Sequence, residues 1–263
     1  MAIKLKGKHA LVTGASTGIG AAFARLLAEN GSHLVLVARD EARLEALAKE
    51  LEAEHGVQTE VLPADLADES QLARVEKRLG AEPRIEILVN NAGFGDAGDF
   101  GAMPLASSEG QIRVNVLALV RLAHAALPGM RTARCGGILN VSSTAGFFAL
   151  PENAIYGATK AFVTTFSQAL AEEVRAEGVN VTVLCPGFTR TEFQERAKVD
   201  VSRIPEFAWQ SAEEVARAGI TDLLRGSALC IPGVHNRVMA GMTQLVPRSL
   251  LGRIGGMATR NFG

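Results

Sequence analysis

Tyr156-Gly157-Ala158-Thr159-Lys160 sets a phenol and an ammonium four residues apart at the start of a stretch with helical patterning. An i, i+4 pair shares one helix face. A free tyrosine titrates near ~10, too high for an efficient base at neutral pH. A nearby ammonium favours the phenolate and lowers that value, so the pair is predicted to move a proton. Y-x-x-x-K alone is a weak pattern that arises by chance in many helices. Its company strengthens it. Ser143 lies thirteen residues upstream, just after a short apolar run, and Asn115 lies on the preceding helical pattern. Asn90-Asn91-Ala92-Gly93 and Pro186-Gly187-Phe188-Thr189-Arg190-Thr191 each follow another such run. Ser142 is a neighbouring candidate, but the spacing to Tyr156 favours Ser143.

A second chemistry sits near the N-terminus. Thr13-Gly14-Ala15-Ser16-Thr17-Gly18-Ile19-Gly20 joins a first apolar run to a helical one. Its glycines let the backbone turn tightly and approach a ligand, and the following helix N-terminus offers unpaired N–H groups to a pyrophosphate. The spacing is G-x3-G-x-G rather than G-x-G-x-x-G. After the second apolar run an acidic residue would bind the ribose 2′-OH of NAD. This chain has Ala38-Arg39 there, and a guanidinium pairs with a 2′-phosphate in forked geometry. NADP(H) is therefore the expected cofactor, the alternative being that Arg39 is a solvated charge beside Asp40.

These residues need elements to hold them. Apolar runs at 9–13, 34–37, 59–62, 85–89, 137–141 and 179–184 read as strands, and 228–231 as a last short one. Helical patterns separate them at 20–30, 41–54, 70–79, 108–130 and 155–176, with Gly31 closing the first. Ser211-Ala212-Glu213-Glu214 reads as a capping box opening another helix. Strands apolar throughout and alternating with helices predict an α/β fold, a Rossmann-like, doubly wound parallel sheet covered on both faces. Ligands bind at the carboxyl edge of such a sheet, and the polar and glycine-rich segments all fall at strand ends. No repeat or linker divides the chain, so residues 1–263 are read as one domain, with 188–226 as a substrate lid and 232–263 as a C-terminal extension.

The gross numbers fit. The 263 residues are 48% hydrophobic with a net charge of -1, which gives no global attraction to nucleic acid or an anionic membrane. The three cysteines form no CxxC pair and read as free thiols, and no metal site is expected. The N-terminus lacks the apolar stretch of a signal peptide. The best candidate for a membrane span, 114–130, is interrupted by Arg121 and His124. A cytoplasmic enzyme is the expectation.

Taken together, T-G-x3-G-x-G at 13–20, Asp65-Leu66 after the third strand, N-N-A-G at 90–93, Asn115, Ser143, Y-x-x-x-K at 156–160 and P-G at 186 resemble the short-chain dehydrogenase/reductase family in its own order. The resemblance implies hydride transfer between nicotinamide C4 and a carbonyl carbon. Tyr156 would exchange a proton with the substrate oxygen, and Ser143 would hold that oxygen. Lys160 would bind the nicotinamide ribose and lower the Tyr156 pKa, and Asn115 would hold a water linking Lys160 to solvent. The loop residues Gly14, Ser16, Thr17, Gly18, Ile19 and Gly20 would cradle the diphosphate. Asp65 and Leu66 would meet adenine, Asn91, Ala92 and Gly93 would line the adenosine side, Pro186 and Gly187 would border the cofactor, and Thr189 and Thr191 would contact the nicotinamide carboxamide or the diphosphate. Simpler readings exist for Asp65, as a helix cap, and for Asn115, as a helix-bending residue. The resemblance also implies a homodimer or homotetramer built through the two long helices.

Phe188, Phe193, Phe207 and Trp209 in the segment after the sixth strand, with Phe94, Phe147 and Phe148 on other loops, suggest a bulky apolar ketone or aldehyde as substrate. Rival readings are a 3-oxoacyl-thioester reductase, acting on an acyl carrier protein or CoA ester, and a non-catalytic NADP(H)-sensing protein. From Leu223 onward there is no acidic residue but five arginines, 225, 237, 248, 253 and 260. That stretch reads either as a surface for an acidic carrier, CoA or a membrane, or as a helical cap with solvated arginines.

Overall fold

The computed structural model describes residues 5–197 and 204–245; Arg248, Arg253 and Arg260 of the acid-free tail and residues 198–203 of the lid lie outside them. Seven strands form one sheet: β1 (His9–Thr13), β2 (His33–Ala38), β3 (Thr59–Pro63), β4 (Ile85–Asn90), β5 (Gly136–Val141), β6 (Val179–Leu184) and β7 (Leu229–Cys230). Every pairing is parallel and the order is β3-β2-β1-β4-β5-β6-β7. β4 and β5 are buried along their whole length, as strands covered on both faces must be.

Helices α1 (Gly18–Glu29), α2 (Glu41–His55) and α8 (Ala212–Arg225) bury Phe23, Leu44, Leu51, Val215 and Leu223 on one face. The other face is covered by α3 (Glu69–Leu79), α5 (Leu119–Ala133) and α6 (Ala154–Val174), which bury Val75, Leu122, Met130, Leu170 and Val174. β1 has β2 on one side and β4 on the other, so the order reverses there and opens a crevice at the carboxyl edge.

The helix expected over 108–130 starts earlier, as α4 (Leu105–Ile112), and joins α5 through a π turn at Arg113–Ala118. Among the described residues, Leu105–Ala133 is the one helix long and apolar enough by length and composition to cross a membrane. It runs along the sheet, with Leu119, Leu122, Ala126 and Met130 buried. α1 begins two residues before the predicted start, and its chain leaves through Gly31 at φ 80°. The capping box is present: the Glu214 amide donates to Ser211 Oγ at 3.1 Å, and the Ser211 amide donates to Glu214 Oε2 at 3.0 Å. Among its described residues, the segment between β6 and α8 has a short α7 (Phe193–Arg196) and a 3-10 turn at Glu206–Ala208. The tail opens with a helix not singled out in the sequence, α9 (Val234–Leu245).

Candidate active site

Gly14 at φ 65° and Gly18 at φ 55° adopt left-handed backbone that only glycine takes without strain. Gly20 has a different reason: a Cβ there would stand 2.1 Å from the Gly14 carbonyl oxygen. Both hydrogens of the Asn91 amide hold this turn, donating to Thr13 O at 2.9 Å and Gly14 O at 3.3 Å. Thr13 Oγ1 in turn accepts the amides of Asn91 and Ala92, each at 3.0 Å. The Asn91 side chain thus positions the glycine turn. Thr13, read only as part of a glycine motif, is the peg that joins the ends of β1 and β4.

The N-termini of α2, α3 and α8 are capped by Asp40, Asp68 and Ser211, whereas α1 has no side-chain cap at Thr17 and no acid in its first turn. Its free N–H groups open on a cavity of about 400 Å³ lined by Ser16, Thr17, Gly18, Arg25, Arg43 and Arg190 among others. Donors, helix dipole and guanidinium groups fit the phosphates of a dinucleotide. Arg39 stands at the exposed bend after β2, but the guanidinium in the cavity wall from this region is Arg43, held by Glu192 at 2.9 Å. The i, i+4 spacing of Arg39 and Arg43 was the available sequence signal for it. Asp65 does not cap α3, since Asp68 does. Instead the Asp65 carboxylate accepts the Ala67 amide at 2.9 Å and shapes the turn after β3. Leu66 is a core side chain, 7% exposed, so only its main chain is available to a ligand.

At the other end of the crevice, α6 brings Tyr156 and Lys160 under the end of β5. Ser142 is spent on structure, its hydroxyl 2.7 Å from Lys160 O and 2.8 Å from Thr164 Oγ1. Ser143 instead accepts the Ala145 amide at 3.1 Å and stands close enough to the Tyr156 hydroxyl to favour its phenolate. The structure thus separates the two serines as the spacing argument does. Lys160 is buried, and its Nζ donates to Val141 O at 2.9 Å. Asn115 lies in the π turn, a helix distortion frequent at functional sites. Its Nδ2 donates to Phe94 O at 2.8 Å and Thr159 Oγ1 at 3.1 Å, while its Oδ1 accepts the Phe94 amide at 3.0 Å. Both amide hydrogens are occupied, so Asn115 clamps the 94 loop to α6 and has no side-chain hydrogen left for a water. Its position meets the reacting group all the same. A Cβ on Gly93 would stand 3.0 Å from Asn115 Oδ1 and 3.3 Å from Lys160 Nζ.

Burial dominates the electrostatics. The Tyr156 ring is half-buried, but burial at its hydroxyl pushes the phenol up to about 12, and the hydrogen bond from Ser143 opposes this only in part. Burial brings the Lys160 ammonium down to about 8. The expectation that Lys160 depresses Tyr156 is not met in this arrangement. Lys160 Nζ lies 5.7 Å from the ring centroid and is turned to the Val141 carbonyl, not to the phenol oxygen.

The segment after β6 closes the site. Thr191 packs on the phosphate loop, where a Cβ on Gly18 would lie 3.0 Å from Thr191 Cγ2. Thr189 is buried and pairs with Gln210 in an isolated bridge, and Pro186 O accepts the Thr144 amide at 2.9 Å. Gly187 allows Asn236 of α9 to sit close, since a Cβ would be 2.4 Å from Asn236 Oδ1. Phe193 lies 5.6 Å from the Tyr156 ring, Phe188 lies 5.7 Å from Trp209, and Arg190 stacks 5.2 Å over Trp209. Gly95 was not foreseen from the sequence: a Cβ there would press on Tyr156 Cδ2 at 2.9 Å.

The family model of short chain dehydrogenases matches residues 8–201. A very-long-chain 3-oxoacyl-CoA reductase of Laccaria bicolor is 42% identical over 180 residues, which is 67% of this chain and 53% of that protein. The chain thus spans about half the length of that curated relative. Among solved structures, a short-chain dehydrogenase from Sphingobium yanoikuyae in complex with NADPH has a TM-score of 0.82 at 38% identity, covering 92% of this chain and 97% of its own. A bulky-bulky ketone specific alcohol dehydrogenase from Comamonas testosteroni has a TM-score of 0.79 at 34% identity, covering 92% and 95%.

Proposed function

The chain belongs to the short-chain dehydrogenase family and is a nicotinamide-dependent oxidoreductase, and from that premise we propose that it is an NADP(H)-dependent reductase of bulky apolar ketones or aldehydes. The observation that carries the reading is the Ser143 hydroxyl close to the Tyr156 phenol, favouring its phenolate, with the Phe193 ring 5.6 Å from the Tyr156 ring. The cofactor, when bound, supplies or accepts the hydride at nicotinamide C4. Tyr156 donates its proton to the substrate oxygen, and Ser143 fixes that oxygen by a hydrogen bond. Lys160, four residues along the helix from Tyr156, is placed to meet the nicotinamide ribose. Gly14 to Gly20 and the α1 N-terminus hold the diphosphate, and Arg39 with Arg43 receive a 2′-phosphate. The aromatic segment after β6 excludes water and gives an apolar substrate its contact area.

NADPH oxidation with a ketone bulky on both sides, a small dialkyl ketone and acetoacetyl-CoA tests this. The bulky ketone should exceed the small one in kcat/KM by about tenfold or more, the scale of about 1.4 kcal/mol of added apolar contact. A preference for the thioester supports the second reading, a 3-oxoacyl-CoA reductase, which the Laccaria relative favours. Arg39→Asp should lower the NADPH-to-NADH turnover ratio; an unchanged ratio would remove Arg39 from the 2′-phosphate site. The proposal extends to a cytoplasmic homodimer or homotetramer, supported by the exposed Leu117 and Phe162 on the two long helices.

A further inference from the structure

Among the described residues, each arginine in the wall of the phosphate cavity is held by a carboxylate. Arg25 pairs with Glu50 at 2.6 Å, Arg190 with Glu206, and Arg43 with Glu192 at 2.9 Å. Of these three carboxylates, that of Glu192 belongs to the cavity wall itself. Arg43 lies in the first turn of α2. Glu192 comes from the segment after β6, between Thr191, which packs on Gly18 of the phosphate loop, and Phe193, whose ring is 5.6 Å from Tyr156. The ion pair therefore ties that segment to α2 at the edge of the cavity.

The geometry at Arg43 decides what a phosphate meets there. Nη1 donates to both Glu192 oxygens, at 2.9 and 3.1 Å, and Nε lies 3.4 Å from Asp40 Oδ2. A guanidinium grips a phosphate in a fork, through Nε with Nη2 or through Nη1 with Nη2. One carboxylate stands on each fork. Asp40 cannot withdraw without uncapping α2, because its Oδ1 accepts the Arg43 amide at 3.1 Å. Glu192 has no such duty toward the helix. Its pair with Arg43 is half-exposed, and exposed ion pairs are weak. A phosphate carries more charge than a carboxylate and takes the same fork more strongly. We propose that Glu192 is a specificity-determining residue for the cofactor: its carboxylate competes for Arg43 with the 2′-phosphate of NADP(H), whereas NAD(H), with a hydroxyl in that place, leaves the pair closed. Glu192 thus holds the preference for NADP(H) below what Arg43 alone would give. This rests on the 2′-phosphate reading above.

The test is a fluorescence titration of the full chain with NADPH and with NADH, in wild type, Glu192→Gln, Arg43→Gln and the double variant. Glu192→Gln should lower the Kd for NADPH by about three- to fivefold, the scale of an exposed ion pair, and leave that for NADH unchanged. Arg43→Gln should raise the Kd for NADPH by about tenfold or more, the scale of a charge-assisted hydrogen bond, and again spare NADH. In the Arg43→Gln background, Glu192→Gln should have no effect on NADPH, since the two act through one contact. A higher or unchanged Kd for NADPH in Glu192→Gln would overturn the proposal, because the pair would then support the site or be irrelevant to it. Equal tightening of NADPH and NADH would overturn it too, by making Glu192 a general repeller of the diphosphate. So would a gain that persists without Arg43. If Arg43→Gln weakens NADPH alone while Glu192→Gln is silent, the competition is wrong and the 2′-phosphate reading stands. If Arg43→Gln changes neither Kd, the 2′-phosphate does not meet Arg43 and both readings fall.

Discussion

A phenol that burial holds at about 12 is an acid, not a base, near neutrality. This gives the proposed reaction a direction-dependent pH profile. Reduction uses protonated Tyr156, which is fully present well below 12, so the Tyr156 contribution to the reduction rate should be flat across neutral pH. Oxidation uses the phenolate, whose fraction rises about tenfold per pH unit below the pKa. Lys160 is turned to the Val141 carbonyl and not to the phenol, so the rise should continue through the range in which Lys160, brought down to about 8, loses its charge. Steady-state rates in both directions across that range check this; an oxidation rate independent of pH while chemistry is limiting would contradict it. Tyr156→Phe should cost about 10²–10⁴ in kcat, the usual worth of a general acid, while NADPH binding persists in a fluorescence titration. As Tyr156 is the only tyrosine, tyrosinate absorbance reports on it alone, and its onset should lie above that of free tyrosine.

At the scale of the element, the glycine turn and the lid each offer a position whose substitution tests it. Gly20→Ala sets a methyl 2.1 Å from the Gly14 carbonyl, a main-chain atom that the Asn91 amide holds. Relief must move the turn, so a loss of about 1–3 kcal/mol in stability is expected, together with weakened cofactor binding, from thermal melts with and without NADPH. Phe193→Ala removes the ring lying 5.6 Å from Tyr156. An aromatic pair is worth about 0.5–1.5 kcal/mol beyond its area, so KM for a bulky ketone should rise several-fold, with a smaller change for a small one. Equal changes for both substrates would mean that Phe193 serves the fold and not specificity. These elements were legible to different degrees. β1 to β6 and the helices around them are announced by apolar runs and helical periods of ordinary length. The π turn and α9 were not. The first is an extra residue inside a helical pattern, with no composition of its own, and the second turns its apolar side away from the protein, where periodicity alone cannot say which side is in.

For the whole molecule, the two long helices that form one wall of the crevice also leave Leu117 and Phe162 exposed at 46% and 44%. Phe162→Glu should yield a smaller particle in light scattering than wild type; an unchanged mass would exclude that face from the assembly. The single tryptophan, Trp209, sits between Phe188 and Arg190 at the lid, so its emission should change when NADPH and substrate bind. The sequence by itself determined the family and the parallel sheet and brought out Ser143, Tyr156 and Lys160 as the candidate reacting set, because strand ends in such a sheet fall on one edge whatever the loops do. Only the tertiary structure decided how those residues are used. It showed the side chains of Asn91 and Asn115 acting as clamps, gave Ser142 to Lys160 and Thr164, and added Arg43 to the phosphate cavity. It also set burial above charge at Tyr156. The reason is the same in each case: residue type and spacing fix which groups meet, but hydrogen-bond partners and desolvation depend on atoms brought in from elsewhere in the chain.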